Sequence, residues 1–194
     1  MFLLHRPSAQ IIERVLADSR QLPLSYAPVG LAQRSPEKFD VDRTAVVIGK
    51  GRADFERATA ALVAWKQFDV GWAELFPKHA PIEPGTVVAL LIRHLGFWSL
   101  NGCRIVYRVG DAESEHRFGF AYGTLSNHAE MGEEIFEVDL NAETGDVTYR
   151  IHAASRPRAL LARVGYPIAR VLQARFRRDS VKAMRRELRV TIPC

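Results

Sequence analysis

The chain has 194 residues and a mass of 21.8 kDa, enough for one good core and short for two. Hydrophobic content of 47% with 25% charged residues is ordinary for a globular protein, and the formal charge is +5. That charge is local: Arg158 to Arg189 holds ten Lys/Arg against Asp179 and Glu187, a net +8, which leaves −3 for the rest. A nucleic-acid-coating surface is therefore not indicated, and nucleic acid is an unlikely partner.

Met1 to Arg6 is too short an apolar run before Pro7 for a secretory signal. No stretch approaches the roughly 18–20 apolar residues of a membrane span. Cys103 and Cys194 make no disulfide framework and read as free thiols, so a cytoplasmic location is expected.

Ser8 is placed to cap a short helix with Ile11, Ile12, Val15 and Leu16 at helical spacing. Pro23, Pro28 and Pro36 punctuate a loop to about Asp40. Val41–Ile48 reads as a strand, and Gly49-Lys50-Gly51 turns it into a helix carrying Phe55, Ala58, Leu62 and Trp65 on one side. That triplet lacks P-loop spacing and a third glycine, so a tight turn is expected rather than a phosphate site.

Six more strands are predicted at 69–76, 86–95, 101–109, 116–125, 133–140 and 146–155, broken by Gly85, Gly96, Asn101-Gly102, Gly110-Asp111 and Thr144-Gly145-Asp146. Val87–Ile92 is apolar on both faces and reads as a central strand. In Phe118-Gly119-Phe120-Ala121-Tyr122-Gly123 the rings share one face and leave the other almost bare, open to close approach by another body. After Pro157 helix formers run to about Leu188, with Pro167 expected to kink the element. Leu161, Val164, Ile168, Leu172 and Phe176 would form its buried stripe, with the arginines outward. The order predicts a single α+β domain over 1–194: an N-terminal helix and loop (1–40), then a core (41–189) in which about seven antiparallel strands curl around the last helix.

The motifs Tyr26-Ala27-Pro28-Val29-Gly30, Gly49-Lys50-Gly51, Trp65 with Phe68, Gly71 and Trp72, Pro84-Gly85, Cys103-Arg104 and Val106-Tyr107 carry a resemblance, together with Phe118 to Leu125, His128, Glu130, Gly132-Glu133-Glu134 and Ser155-Arg156-Pro157. They resemble the bacterial and plant "domain of unknown function" family numbered nineteen-ninety, within the START-like, birch-pollen-allergen-like helix-grip superfamily. The resemblance covers about Tyr26 to Met184. It implies a helix-grip fold and no established activity. Relatives in the superfamily typically hold apolar molecules between sheet and helix, and a minority are enzymes. Ser126-Asn127 stands where the family pattern has Pro-Gly, which leaves the loop around His128 open. Ala154 stands where an aromatic is expected, which would enlarge a pocket.

His128, Glu130 and Glu133 are candidates for a metal or acid/base site, with Glu134 alternating with Glu133. No spaced ligand pair such as His-Glu-x-x-His accompanies them, so structural roles are favoured, Glu133 bonding loop amides or pairing with Arg104 or Arg156. No metal or cofactor is expected. Arg104 and Arg108 share a strand face: if it is the inner one, Arg104 needs a carboxylate or an anionic ligand, and if outer, both are solvated. Trp65, Trp72, Phe118, Phe120 and Tyr122 are core residues first, and in this fold candidate cavity lining, with Arg104 and Arg156. Ser155 has no visible His/Asp partners for a hydrolase triad.

The leading expectation is a binding protein for an apolar or amphipathic, lipid-like small molecule. An interaction module using the basic helix on an anionic membrane or acidic partner is the alternative. An enzyme centred on His128, Glu130 and Glu133 is third.

Overall fold

A computed structural model describes residues 1–34, 36–94, 96–110, 115–157 and 166–189. The elements in order are β1 (Phe2–Leu3), α1 (Ala9–Ser19), β2 (Asp40–Lys50), α2 (Gly51–Val63), a 3-10 turn at Lys66–Phe68, β3 (Ala73–Phe76), β4 (Val87–His94), β5 (Phe97–Val109), β6 (Arg117–Thr124), β7 (Glu130–Leu140), β8 (Asp146–Pro157) and α3 (Tyr166–Arg189). The strands form one eight-stranded antiparallel sheet, ordered β2-β8-β7-β6-β5-β4-β3, with β1 paired to β5. This is the α+β helix-grip architecture: an open antiparallel sheet with a C-terminal helix on its inner face.

The two-residue period of the strands sorts the sheet into two faces. The inner face carries Phe120, Tyr122, Phe136, Val138, Tyr149 and Ile151, which form one core with Phe55, Leu62, Trp65 and Phe68 and with Val181 and Met184 of α3. A buried hydrogen bond between Tyr149 and Ser180 (2.8 Å) ties α3 to the sheet. The outer face is also covered. Ile12 of α1 packs on Ala89, Leu91 and Leu100, and Tyr26, Leu31 and Ala32 of the following loop pack on Ala154, Ala121 and Ile135.

Several expectations shift, each for a physical reason. β4 is apolar on both faces because α1 covers one and the core the other; it lies next to edge strand β3 and is not central. Asn101-Gly102 is not a turn but the middle of β5, where a Cβ at residue 102 would collide with the side chains of Ser19 and Asn127. The β4–β5 reversal instead carries Gly96 at φ +98°. β3 is four residues long because 66–68 coils into a 3-10 turn and Gly71 takes φ +79°. Pro167 is the second residue of α3, in the first turn, where no intrahelical N–H bond is lost, so it starts the helix and does not kink it. Leu161 and Val164 lie outside the described residues, as does Cys194; Cys103 is a buried free thiol.

Gly51 (φ +81°) makes the tight turn from β2 into α2, with its N–H bonded to the Gly145 carbonyl (2.7 Å). The Lys50 N–H goes to the Asp54 carboxylate (2.7 Å), so these amides are already paired. A register shift in β5 between Ile105 and Tyr107 puts Arg104 opposite Gly123 and Arg108 opposite Phe120. The bulge therefore places the two arginines on opposite faces, where uninterrupted alternation predicted one.

Candidate functional site

The Glu130–Leu140 strand carries the chemistry, and its alternation separates the glutamates. Glu133 points to the outer face and is buried there. Its carboxylate accepts from the hydroxyls of Tyr26 and Tyr107 (2.6 Å each) and from the N–H groups of Gly30 (3.0 Å) and Ala32 (3.1 Å). Burial first, then the bond to this carboxylate, pushes both phenol pKa values far up. Glu133 thus fastens the proline-rich loop to the sheet through its amides.

Glu130 and Glu134 point inward, on either side of Gly132, into a cavity of about 340 Å³ between the sheet and the first half of α3. Its walls are apolar, built by Phe68, Trp72, Leu90, Ile92, Leu172 and Phe176. Phe176 stacks on Phe68 (5.2 Å between centroids) and meets Trp72 edge-on. One end is polar. The Tyr122 hydroxyl donates to Glu134 (2.7 Å), and the Gln173 amide donates to both oxygens of Glu130 (3.0 Å each) and to Ser155 Oγ (3.2 Å). Arg170 grips Asp42 with two nitrogens (2.5 and 2.9 Å), and Arg177 adds a third contact (3.0 Å).

His128 sits where β6 passes into β7, in a loop held at several points. Leu125 N–H bonds the Gly102 carbonyl, Ser126 N–H the Pro23 carbonyl, and the Asn127 amide the Ser19 hydroxyl (2.8 Å). Ser126-Asn127 therefore anchors the loop through contacts of its own. His128 Nδ1 accepts from Glu130 N–H (2.9 Å), which leaves the proton on Nε2.

Burial dominates the electrostatics. It pushes Glu134 up to about 7, reinforced by the charge of Glu130 and opposed by the Tyr122 bond and by Arg177. It raises Glu130, although Gln173 pulls the other way. It lowers His128 to about 4, so the imidazole is neutral. Asp42 departs from this pattern: burial would raise it, yet the bonds and charges of Arg170 and Arg177 together hold it below the usual carboxylate range. Cys103, beneath the same end, is pushed up by burial and by the charges of Glu134 and Glu130.

The sequence-predicted residues divide clearly. His128, Glu130, Trp72 and Tyr122 come together around the cavity. Glu133 contributes to the wall, but its carboxylate belongs to the outer loop. Trp65, Phe118 and Phe120 are core packing: Trp65 lies edge-on to Phe120 (4.8 Å) and donates to the Ala80 carbonyl (2.8 Å). Arg104 is on the outer face and bonds the Arg20 and Leu22 carbonyls (3.0 Å each), closing the end of α1. Arg156 lies over the Phe39 ring (4.7 Å), also outside the cavity. Ala154 packs in the outer cluster with Tyr26, so its small size does not enlarge the cavity. Sequence reasoning missed Asp42 and Gln173 and passed over Glu134. The available signal was that Glu130 and Glu134 share a face if the strand starts at 130. Among the described residues no group of three or more His, Cys, Asp or Glu side chains is arranged to hold a metal ion.

The fold resembles that of a hypothetical protein from Helicobacter pylori, with TM-score 0.56 and 8% identity over 84% of this chain and 95% of that one. It also resembles norcoclaurine synthase from Thalictrum flavum, solved with dopamine and hydroxybenzaldehyde: TM-score 0.50, 8% identity, 89% and 99% of the two chains. Identities this low speak for the fold alone. A Dictyostelium discoideum UPF0548 protein is 34% identical over 95% of this chain and 94% of its own length. The model of a domain of unknown function, DUF1990, matches residues 25–183, nearly all of the sheet and most of α3, and the chain belongs to that family.

Proposed function

We propose that this protein binds an apolar or amphipathic small molecule between its sheet and its C-terminal helix. The observation that carries this reading is the 340 Å³ cavity with aromatic walls and one polar end, a volume within the ~300–1,000 Å³ of small-molecule sites. Trp72 and Tyr122 are the sequence-predicted residues proposed to touch the ligand, joined by Phe68, Leu172 and Phe176.

Two other readings have less support. Much of the basic charge of α3 is engaged within the chain: Arg170 and Arg177 on Asp42, Arg175, Arg178 and Lys182 on Asp179, and Arg185 and Arg186 on the carbonyls of Val47 and Asp69. That reduces what is free for an anionic membrane surface. No helix among the described residues is long and apolar enough to cross a membrane. An acid/base enzyme would have to use Glu134 with His128 and Glu130, since Glu133 is committed to the loop.

The test is titration with the neutral dye N-phenyl-1-naphthylamine, alongside native mass spectrometry of protein purified from its host. About one equivalent of dye should bind the folded protein, and Ala169→Trp, which fills the cavity from α3, should weaken it at least about tenfold without unfolding the chain. Unaltered dye binding by that variant would overturn the assignment.

A further inference from the structure

The polar end of the cavity is richer in negative charge than its surroundings compensate. Among the described residues Asp42, Glu130 and Glu134 meet Arg170 and Arg177, three carboxylates to two guanidiniums, with the Met1 ammonium on the Leu100 carbonyl acting on His128. Both guanidiniums are tied to Asp42. Glu130 and Glu134 take their hydrogen bonds from neutral donors, Gln173 and Tyr122, while Arg170 and Arg177, bonded to Asp42, act on them through their charge. His128 does not supply the missing charge. It is half-buried, lines the cavity, and is held neutral with Nδ1 occupied by the Glu130 N–H, while Nε2 has no partner among the described residues. Gly132 stands between the two glutamates on the inner face, and Ser155 of β8 packs against it so closely that a Cβ there would meet the Ala154 carbonyl and the Ser155 side chain. Two carboxylates with neutral partners in a poorly hydrated site are an unfavourable arrangement that an incoming cation relieves. Beside them Phe68 stacks on Phe176 and Tyr122, and Arg175 lies over the Trp72 ring, so this wall offers an aromatic surface for an apolar body.

Building on the cavity reading above, we infer that the ligand is a cationic amphiphile: a protonated amine at the polar end, near Glu130 and Glu134, on an apolar or aromatic body that lies along the wall of Phe68, Trp72 and Phe176. An anionic lipid headgroup would meet these carboxylates, while Arg170 and Arg177, the arginines described at this end, are bonded to Asp42. The groups facing Glu134 are Tyr122 from β6, Cys103 from β5, Tyr149 from β8, Asp42 from β2, Glu130 on its own strand, His128 from the preceding loop, and Arg170 and Arg177 from α3. Of the three carboxylates, Glu130 and Glu134 are the two left with raised pKa values, which a nearby ammonium would bring down, whereas Arg170 and Arg177 already hold Asp42 low.

The experiment uses the full chain and three probes of equal length, decylamine, decanol and decanoate, each displacing N-phenyl-1-naphthylamine at pH 8 and pH 5.5. At pH 8 decylamine should bind about tenfold or more tighter than decanol, with decanoate weakest. The amine preference should shrink at pH 5.5, where Glu134 holds its proton more firmly. Glu134→Gln and Glu130→Gln should each cut amine affinity about fivefold or more while leaving decanol within about twofold. If Glu134→Gln does not fold, Glu130→Gln and the wild-type pH series decide. Equal binding of amine and alcohol, or tightest binding of decanoate, would overturn the amine while the dye titration left the cavity standing. Failure of the dye and all three probes would overturn both.

Discussion

Glu133 and Glu134 are neighbours in the chain and opposites in the structure. On the outer face Glu133 collects four donors, two of them backbone amides of the loop it fastens. On the inner face Glu134 has a single hydroxyl partner, and burial pushes its pKa up to about 7. One carboxylate is fully satisfied and holds the molecule together; the other is under-satisfied and open to a cavity. Residue type says nothing about which is which. The number and kind of donors decides it.

The largest effect should come from breaking the satisfied site. Glu133→Gln presents an amide nitrogen to a pocket built only of donors, and urea unfolding should show a loss of roughly 3–5 kcal/mol. Proteolysis should then cut first between residues 20 and 39, the loop whose amides lose their acceptor. A loss below about 1 kcal/mol would mean that the four bonds do not hold the loop.

Glu134→Gln should behave in the opposite sense. A carboxyl moved from 4.5 to about 7 on folding binds its proton more tightly in the native state, so stability falls as pH rises between those values. The shift corresponds to roughly 3 kcal/mol, and at pH 8 the Gln variant should be more stable than the parent by an amount of that order. His128, lowered from 6.5 to about 4, works the other way: its contribution is complete above 6.5 and is lost as pH falls toward 4. His128→Asn, whose Oδ1 can replace Nδ1 as acceptor for Glu130 N–H, should remove that acid-side loss. Stability measured from pH 4 to 8 in the parent and both variants checks the signs, and parallel curves would refute both assignments.

How much of this was readable beforehand follows from the same contrast. The ring-bearing period of β6, the inward Leu172 and Phe176 of α3 and the succession of strands along the chain were legible because hydrophobic periodicity is a local signal, whereas Ile168, expected in the same buried stripe, is 49% exposed. Alternation also required Glu133 and Glu134 to face opposite ways. It could not say which faced inward, because the outer face is itself covered by a loop remote in sequence. The bulge in β5 defeated simple alternation and sent Arg104 and Arg108 to different faces. Phe118 and Phe120 fill the core while Tyr122 reaches the cavity, a distinction made by where Trp65 and Phe68 pack and not by period. Asp42 and Gln173 join the site only through tertiary pairing of β2 and α3 with the rest of the sheet.

Gly123 tests the outer face more gently. A Cβ there would overlap the Tyr26 ring and hydroxyl, the same hydroxyl that bonds Glu133. Gly123→Ala should cost about 1–3 kcal/mol by displacing Tyr26. Because the displaced group belongs to the Glu133 pocket, combining it with Glu133→Gln should cost less than the sum of the two. Additive losses would separate the glycine from that pocket.

The smallest effects should come from another adjacent pair, Arg177 and Arg178 of α3, which repeats the contrast on the helix. The Arg177 side chain is 17% exposed, lines the cavity and bonds Asp42 at 3.0 Å; that of Arg178 is 65% exposed and pairs with Asp179 at 3.3 Å. An exposed ion pair on a flexible side chain is worth little, so Arg178→Gln should change stability by less than about 0.5 kcal/mol. Arg177→Gln removes one of two cations from a half-buried carboxylate and should cost about 1–2 kcal/mol, the remaining Arg170 limiting the damage. The same substitution takes a positive charge from beside Glu134, which disfavours its ionised form, so the midpoint of the Glu134 titration should move up from about 7. Arg178→Gln should leave that midpoint where it is. An Arg178 effect as large as that of Arg177, on either stability or midpoint, would mean that the inner and outer sides of this helix are not electrostatically distinct.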